Sequence, residues 1–262
     1  MYHHRLVISY KGTRYFGWQD QGTNRPKRTV QASIHQVLKK ICKYERCTIS
    51  AASRTDSGVH AQGQVVKITL GKAIDSAKLL LGMNSLLPDD IRILQCERCT
   101  AEFNPNKDSK SKEYHYYFCT DLIHNPVLND FVAHISPNSK GSAKGPLDIE
   151  LMRRACKLFI GEHDFYSFAR RDINMKSTLR TVISCEIFQA QPTIFGNNIY
   201  YLKVVGNGFL RHMIRYIAGA LFALGRGQLS LIDISEALVN QKEEKICSRA
   251  KSRGLHLIQI SY

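Results

Sequence analysis

Long apolar runs are missing from this 262-residue chain, and no segment reaches transmembrane length. Its first residues enter a strand pattern with no signal-peptide hydrophobic region, so a reducing cytoplasm is the expected compartment and a membrane is not an expected partner. Cysteine is thinly spread. The eight cysteines sit in separate apolar segments, and Cys96-x-x-Cys99 is the only tight pair. No second pair or Cys/His group completes a four-ligand set, so free thiols are expected rather than disulfides, structural zinc or a zinc deaminase. The Gly-x-x-x-x-Gly-Lys phosphate loop, the dinucleotide glycine fingerprint and the serine nucleophile elbow are absent as well. Acid is scarce: 22 Asp plus Glu stand against 37 Lys plus Arg, a net charge of +15. That excess suits a polyanionic partner, whose phosphates a positive field attracts.

What is present is a regular alternation of strand and helix patterns. Arg5–Tyr10 alternates as a strand and stops at Lys11-Gly12. From Thr29, a plausible cap, Val30, Ile34, Val37, Leu38 and Ile41 form a helix face. Residues 47–53 and 62–70 read as strands, 74–87 as a helix stopped by Pro88, and 91–96 as a strand. This is the β-α-β-β-α-β order of a split βαβ unit. The second half repeats it, with strands at 113–120, 180–190, 199–205 and 255–260 and helices at 147–159, 209–224 and 230–239. The expected fold is α+β: two split βαβ (ferredoxin-like) halves, residues 1–104 and 105–262, whose sheets merge into one continuous central antiparallel sheet with helices packed on it. A cleft between such halves favours a ligand. Residues 136–146, "SPNSKGSAKGP", read as an exposed basic loop.

Three stretches carry chemistry. "SRTDSGVHA", residues 53–61, puts Arg54, Asp56 and His60 in the short connection between two strands. Asp-x-Gly is a common turn signal, so Asp56 reads as a turn residue or as a carboxylate held out by a rigid sheet. "EYHYYF" places Tyr114 and Tyr116 on one side of its strand and His115 and Tyr117 on the other, after Lys107, Lys110 and Lys112. In "GNGFLRHMIRYIAGAL", Phe209, Met213, Ile217 and Leu221 make an apolar helix face, and Arg211 and Arg215 stand four apart. Arg215 has such apolar neighbours that it is expected to be buried and paired with a carboxylate or phosphate. Asp56 meets that need if the halves come together there.

In their order along the chain these segments resemble the TruA-type tRNA pseudouridine synthases, nearly end to end. "YKGTRYFGWQDQ" is similar to the family's opening and "SRTDSGVHA" to its catalytic motif, with Ser53 where glycine is usual. "LLLGMNSLLPDDI", "FNPNKDSKSKEYHYYF", "LFIGEHDFYSF" and "GNGFLRHMIRYIAGAL" follow in the family order. The resemblance implies that Asp56 is the catalytic aspartate and that Arg54 displaces the target base and takes its place in the stack. It implies that Tyr114 packs against the uracil and that Arg215 pairs with the aspartate. It further implies isomerisation of uridine to pseudouridine with no metal or organic cofactor. The partners implied are an anticodon stem-loop of tRNA, modified at uridines 38, 39 and 40, and a second copy of the chain in a homodimer. The chain departs from the family pattern at Pro105, Asn106, Lys112, Glu113 and Lys251. Lys107, Lys110, Lys112 and Arg211 are the expected substrate contacts, with Lys39, Lys40, Arg170 and Arg171 as further candidates for the RNA backbone. A tRNA-binding protein of the same fold, retargeted or without catalysis, is the alternative reading.

Overall fold

The computed structural model describes residues 1–20, 27–43, 46–137, 146–170, 177–191, 198–241 and 244–262. Most of the 136–146 loop and Arg171 lie outside the described residues. The architecture is mixed α and β, with a large, mostly antiparallel sheet flanked by helices. Two compact units make it up: Met1–Lys110 with Leu257–Tyr262, and Ser111–His256.

The first unit runs through β1 (Tyr2–Tyr10), α1 (Val30–Ile41), β2 (Cys47–Ala51), β3 (His60–Leu70), α2 (Ser76–Leu86) and β4 (Ile91–Arg98). β1 lies between β3 and β4, antiparallel to both, and β2 also pairs with β3. Alternation buries His4, Leu6, Ile8 and Tyr10. β1 starts three residues before the expected Arg5, because buried His4 holds its place through the Ser76 hydroxyl, 3.2 Å away. The Thr29 hydroxyl accepts from the Ala32 amide at 3.3 Å and caps α1, whose Val30, Ile34, Val37 and Leu38 are buried. Asp75 caps α2 in the same way, and Pro88 keeps the helix from running on.

The second unit contains β5 (Ser111–Cys119), β6 (Ala133–His134), α3 (Ile149–Cys156), β7 (Gly161–Asp164), β8 (Leu179–Gln189), β9 (Ile199–Gly206), α4 (Met213–Gly225), α5 (Leu231–Val239) and the start of β10 (Leu255–Ser261). β5, β9, β8 and β7 follow one another as antiparallel neighbours, and β6 adds to β5 in parallel. α3 stops at Cys156 and a 3-10 turn completes the expected helix to Phe159. β6 and β7 are too short to show a period, and the sequence reading has no counterpart for them.

The reading of 209–224 as one helix is corrected. α4 begins at Met213, and His212 before it takes a left-handed conformation with φ 66°. That backbone break separates Arg211 from the helix, so Arg211 and Arg215 do not share a helical face. Phe209 is likewise off the helix, packing edge-on to Tyr114 with ring centroids 5.4 Å apart.

The connection from β2 to β3 is clamped by the segment that leaves β1. The Trp18 amide donates to the Thr55 carbonyl at 3.0 Å, and the Gly58 amide to the Tyr15 carbonyl at 3.1 Å. Gly58 has φ 75°, which closes the turn as its glycine predicts. Gly12 lies so close to the same connection that a Cβ there would stand 1.9 Å from the Val59 carbonyl oxygen. Gly12→Ala should therefore force backbone apart and destabilise the chain by about 1–3 kcal/mol. Gly208→Ala, with open space around its Cβ, should stay within about 0.5 kcal/mol of the parent. Chemical denaturation of the two variants checks this.

Candidate active site

The first unit contributes the turn that carries Asp56. Its flanks are fixed residue by residue. The Gln64 side-chain amide donates to the Ser53 carbonyl at 2.7 Å and its oxygen accepts from the Ser53 amide at 3.2 Å. The Thr55 side chain is buried, its hydroxyl 2.7 Å from the Tyr10 phenol. The Val59 amide donates to the Asp56 carbonyl at 3.2 Å, so the Asp56 main chain belongs to the turn while its side chain is partly exposed. Arg54 is exposed on the same connection. His60 closes it. Its ring is buried, and Nδ1 accepts from the Gly12 amide at 3.2 Å, which gives this histidine a structural task.

Behind the turn stands a group that the sequence reading missed. The Tyr15 phenol donates to Asp90, while Arg28 donates to Tyr15 at 2.9 Å and to Asp90 at 3.2 Å. Burial, with the hydrogen bond to Asp90 next, pushes the Tyr15 hydroxyl up to about 12. It therefore remains a neutral donor, and the 12–18 segment is tied to the residues before β4. Only the spacing of 75 residues between Tyr15 and Asp90 hid this pair.

Lys107 and Lys110 are exposed, also in the first unit. They flank a tight turn in which the Asn104 side chain accepts from the amides of Asn106 and Lys107, at 3.1 and 3.0 Å. Pro105 is buried there, and its carbonyl accepts from the Tyr262 phenol at 2.7 Å.

The second unit holds Lys112, Tyr114, Arg211 and Arg215. Along β5, Lys112, Tyr114, Tyr116 and Phe118 alternate to the buried side. Lys112 thus shares the buried side of Tyr114 and Tyr116, opposite His115 and Tyr117. Its ammonium is costly there: burial, and then Arg180, bring Lys112 down to about 8. On the opposite side His115 stacks on Tyr201 at 4.7 Å, and Glu113 bridges His115 at 2.7 Å and Lys203 at 3.5 Å. The unusual acid at 113 is thereby neutralised within the sheet.

Arg215 is 7% exposed, as its apolar neighbours predict. Its Nε donates to the Ala250 carbonyl at 2.8 Å, and its own carbonyl accepts from the Ala250 amide at 3.0 Å. This double link holds α4 to the segment before β10 and fixes the guanidinium by its inner nitrogen. Beside it lies His212, another residue the sequence reading did not select. Burial, and then Arg249, Arg215, Arg211 and Arg170, drive this imidazole down to about 3. Arg249 Nη1 donates to Nδ1 at 2.6 Å, so the neutral ring serves as an acceptor.

Among the described residues no group of three or more His, Cys, Asp and Glu side chains is arranged to hold a metal, and the eight cysteines are free thiols. None of the described helices is long and apolar enough to cross a membrane. The first unit offers a carboxylate on an anchored turn, and the second, taken by itself, offers buried cations beside a buried tyrosine.

Comparison with known proteins gives the family. A model of tRNA pseudouridine synthases matches residues 6–103 and 155–262. A tRNA pseudouridine synthase A 2 of Desulfotalea psychrophila is 48% identical over 263 residues, covering 99% of this chain and 98% of the relative. A tRNA pseudouridine synthase A of Thermodesulfovibrio yellowstonii is 36% identical over 265 residues, covering 98% of each chain. A tRNA pseudouridine synthase A 2 of Protochlamydia amoebophila is 34% identical over 262 residues, with 98% and 93% covered. The chain belongs to the TruA-type family of tRNA pseudouridine synthases and is an RNA isomerase.

Proposed function

We propose that this chain converts uridine to pseudouridine in the anticodon stem-loop of tRNA, at positions 38, 39 and 40. The observation that carries this reading is the turn of residues 53–59, anchored on both flanks and presenting a partly exposed Asp56. In this proposal residues 1–104 supply the catalytic carboxylate and residues 105–262 complete the site around it. The chain works as a homodimer in the cytoplasm, without metal or organic cofactor.

The reaction breaks the bond between N1 of the uracil and C1′ of the ribose, turns the base, forms the bond from C5 to C1′, releases the C5 proton and leaves a proton on N1. Atoms are conserved and no redox partner is needed. Extruding the base from the stem costs a few kcal/mol, and Arg54, exposed on the turn, offsets part of that by occupying the vacated stack. Asp56 then acts at the ribose. The two routes open to a carboxylate, addition at C1′ and removal of the C2′ proton, both need its charged form. Arg215, held through its Nε, pairs with that carboxylate and aims it. Tyr114 packs against the uracil. Lys112 meets the substrate as a buried cation, while Lys107, Lys110 and Arg211 meet the RNA backbone.

Two outcomes test this. With tRNA carrying tritium at uridine C5, the parent chain should release tritium to water, and Asp56→Asn should lower the rate by at least about 1,000-fold with RNA affinity retained. That loss corresponds to about 4 kcal/mol of transition-state stabilisation. Turnover by the variant would remove Asp56 from its role, and tight binding by an inactive parent would favour the non-catalytic reading.

Lys112 gives the second. Because folding lowers this lysine to about 8 from 10.5, the unfolded chain binds more protons between those values and stability rises with pH across that window. Below the window the burial penalty is fully present. Lys112→Met should therefore stabilise the RNA-free chain at pH 7 by on the order of 1–3 kcal/mol. The gain should vanish as pH passes about 10.5, while turnover falls. Denaturation of both chains across pH 7–11, with activity at pH 7, measures it.

A further inference from the structure

Around His212 the second unit gathers arginines from three separate parts of the chain. Arg170 follows the 3-10 turn Tyr166–Phe168, Arg211 precedes α4, and Arg249 lies ahead of β10. All three are exposed, whereas His212 itself is 8% exposed. The Arg170 amide donates to the Arg211 carbonyl at 2.9 Å, which fixes these two residues side by side. Arg249 is fixed to the imidazole at 2.6 Å. Buried Arg215 adds a fourth cation whose field reaches the same ring.

Like charges brought together by distant segments repel one another, and unconstrained surface arginines spread apart. Here main chain sets two of them side by side, through the Arg170–Arg211 hydrogen bond and the turn at His212. His212 takes φ 66°, a conformation that costs a residue with a Cβ about 1–2 kcal/mol. Strain of this kind persists where the surrounding structure enforces it, often at functional sites. The ring it positions is kept neutral by burial and by the surrounding guanidinium groups, Arg249 foremost. It therefore accepts a hydrogen bond from Arg249 instead of adding another repelling charge. The remaining Arg249 donors form part of the planar fork that matches two oxygens of a phosphate.

We infer that Arg170, Arg211 and Arg249, arranged around His212 at the head of α4, form a subsite for one backbone phosphate of the RNA substrate. His212 is the positioning residue that holds the Arg249 fork. The inference rests on the proposed RNA-isomerase reading and deepens it: Arg215 lies within the same cluster, so the phosphate held here is one close to the target nucleotide.

The test measures binding apart from turnover. A stem-loop RNA is titrated against the parent chain, Arg249→Ala and Arg249→Lys at several salt concentrations. Arg249→Ala should weaken binding about tenfold, the loss of one charge-assisted contact. It should also lower the slope of log affinity against log salt by about one. Arg249→Lys should restore the slope but only part of the affinity. In steady state Arg249→Ala should raise KM with kcat little changed. A scan of stem-loops with one uncharged methylphosphonate each should then find a single position that weakens the parent clearly more than it weakens Arg249→Ala. Unchanged affinity and slope in Arg249→Ala would overturn the subsite. So would a fall in kcat with affinity intact, which would make Arg249 a prop for Arg215. If the parent chain binds RNA as described but forms no pseudouridine, the functional reading fails while the subsite stands.

Discussion

The connection that carries Asp56 is held still by main chain. The residues between β1 and α1 lie against the β2–β3 connection at hydrogen-bonding distance, at Trp18 to Thr55 and at Gly58 to Tyr15. Gly12 permits that approach because it has no Cβ. Tyr15, Arg28 and Asp90 then tie the clamping segment to the residues ahead of β4. None of these groups needs to touch RNA. Their effect is to remove the freedom of a turn whose own sequence, rich in small and polar residues, would otherwise leave it mobile.

The second unit works by a different principle. It buries charge. Arg215 and Lys112 are each 7% exposed, and the buried His212 is held neutral by its burial and then by the cations beside it. Burial of this kind opposes folding unless each cation is hydrogen-bonded or paired. The main-chain link between Arg215 and Ala250 meets part of that need. A site that stores cations in this way favours anions, and RNA supplies them as phosphates.

The order of strands and helices was legible because the periods are long and regular: alternation in β1 and β5, and a four-residue apolar spacing in α1. The burial of Arg215 was legible from its neighbours for the same reason. The head of α4 was not, since nothing in "FLRHMIR" signals a left-handed residue, and histidine rarely adopts that conformation. The imidazole placed by that turn meets Arg249, 37 residues away, a contact no local pattern announces. Lys112 was legible as a cation near the aromatic strand, but its burial was not, because the polar residues before it give no phase; counting back from Tyr114 supplies it.

What has most at stake is the proposal that this chain isomerises uridines of the anticodon stem-loop. Pseudouridine mapping of tRNA tests it most directly, comparing tRNA that lacks the modification before and after incubation with this chain. The account predicts new pseudouridine confined to positions 38, 39 and 40. Conversion at other positions, or none on any tRNA the chain binds, would contradict it.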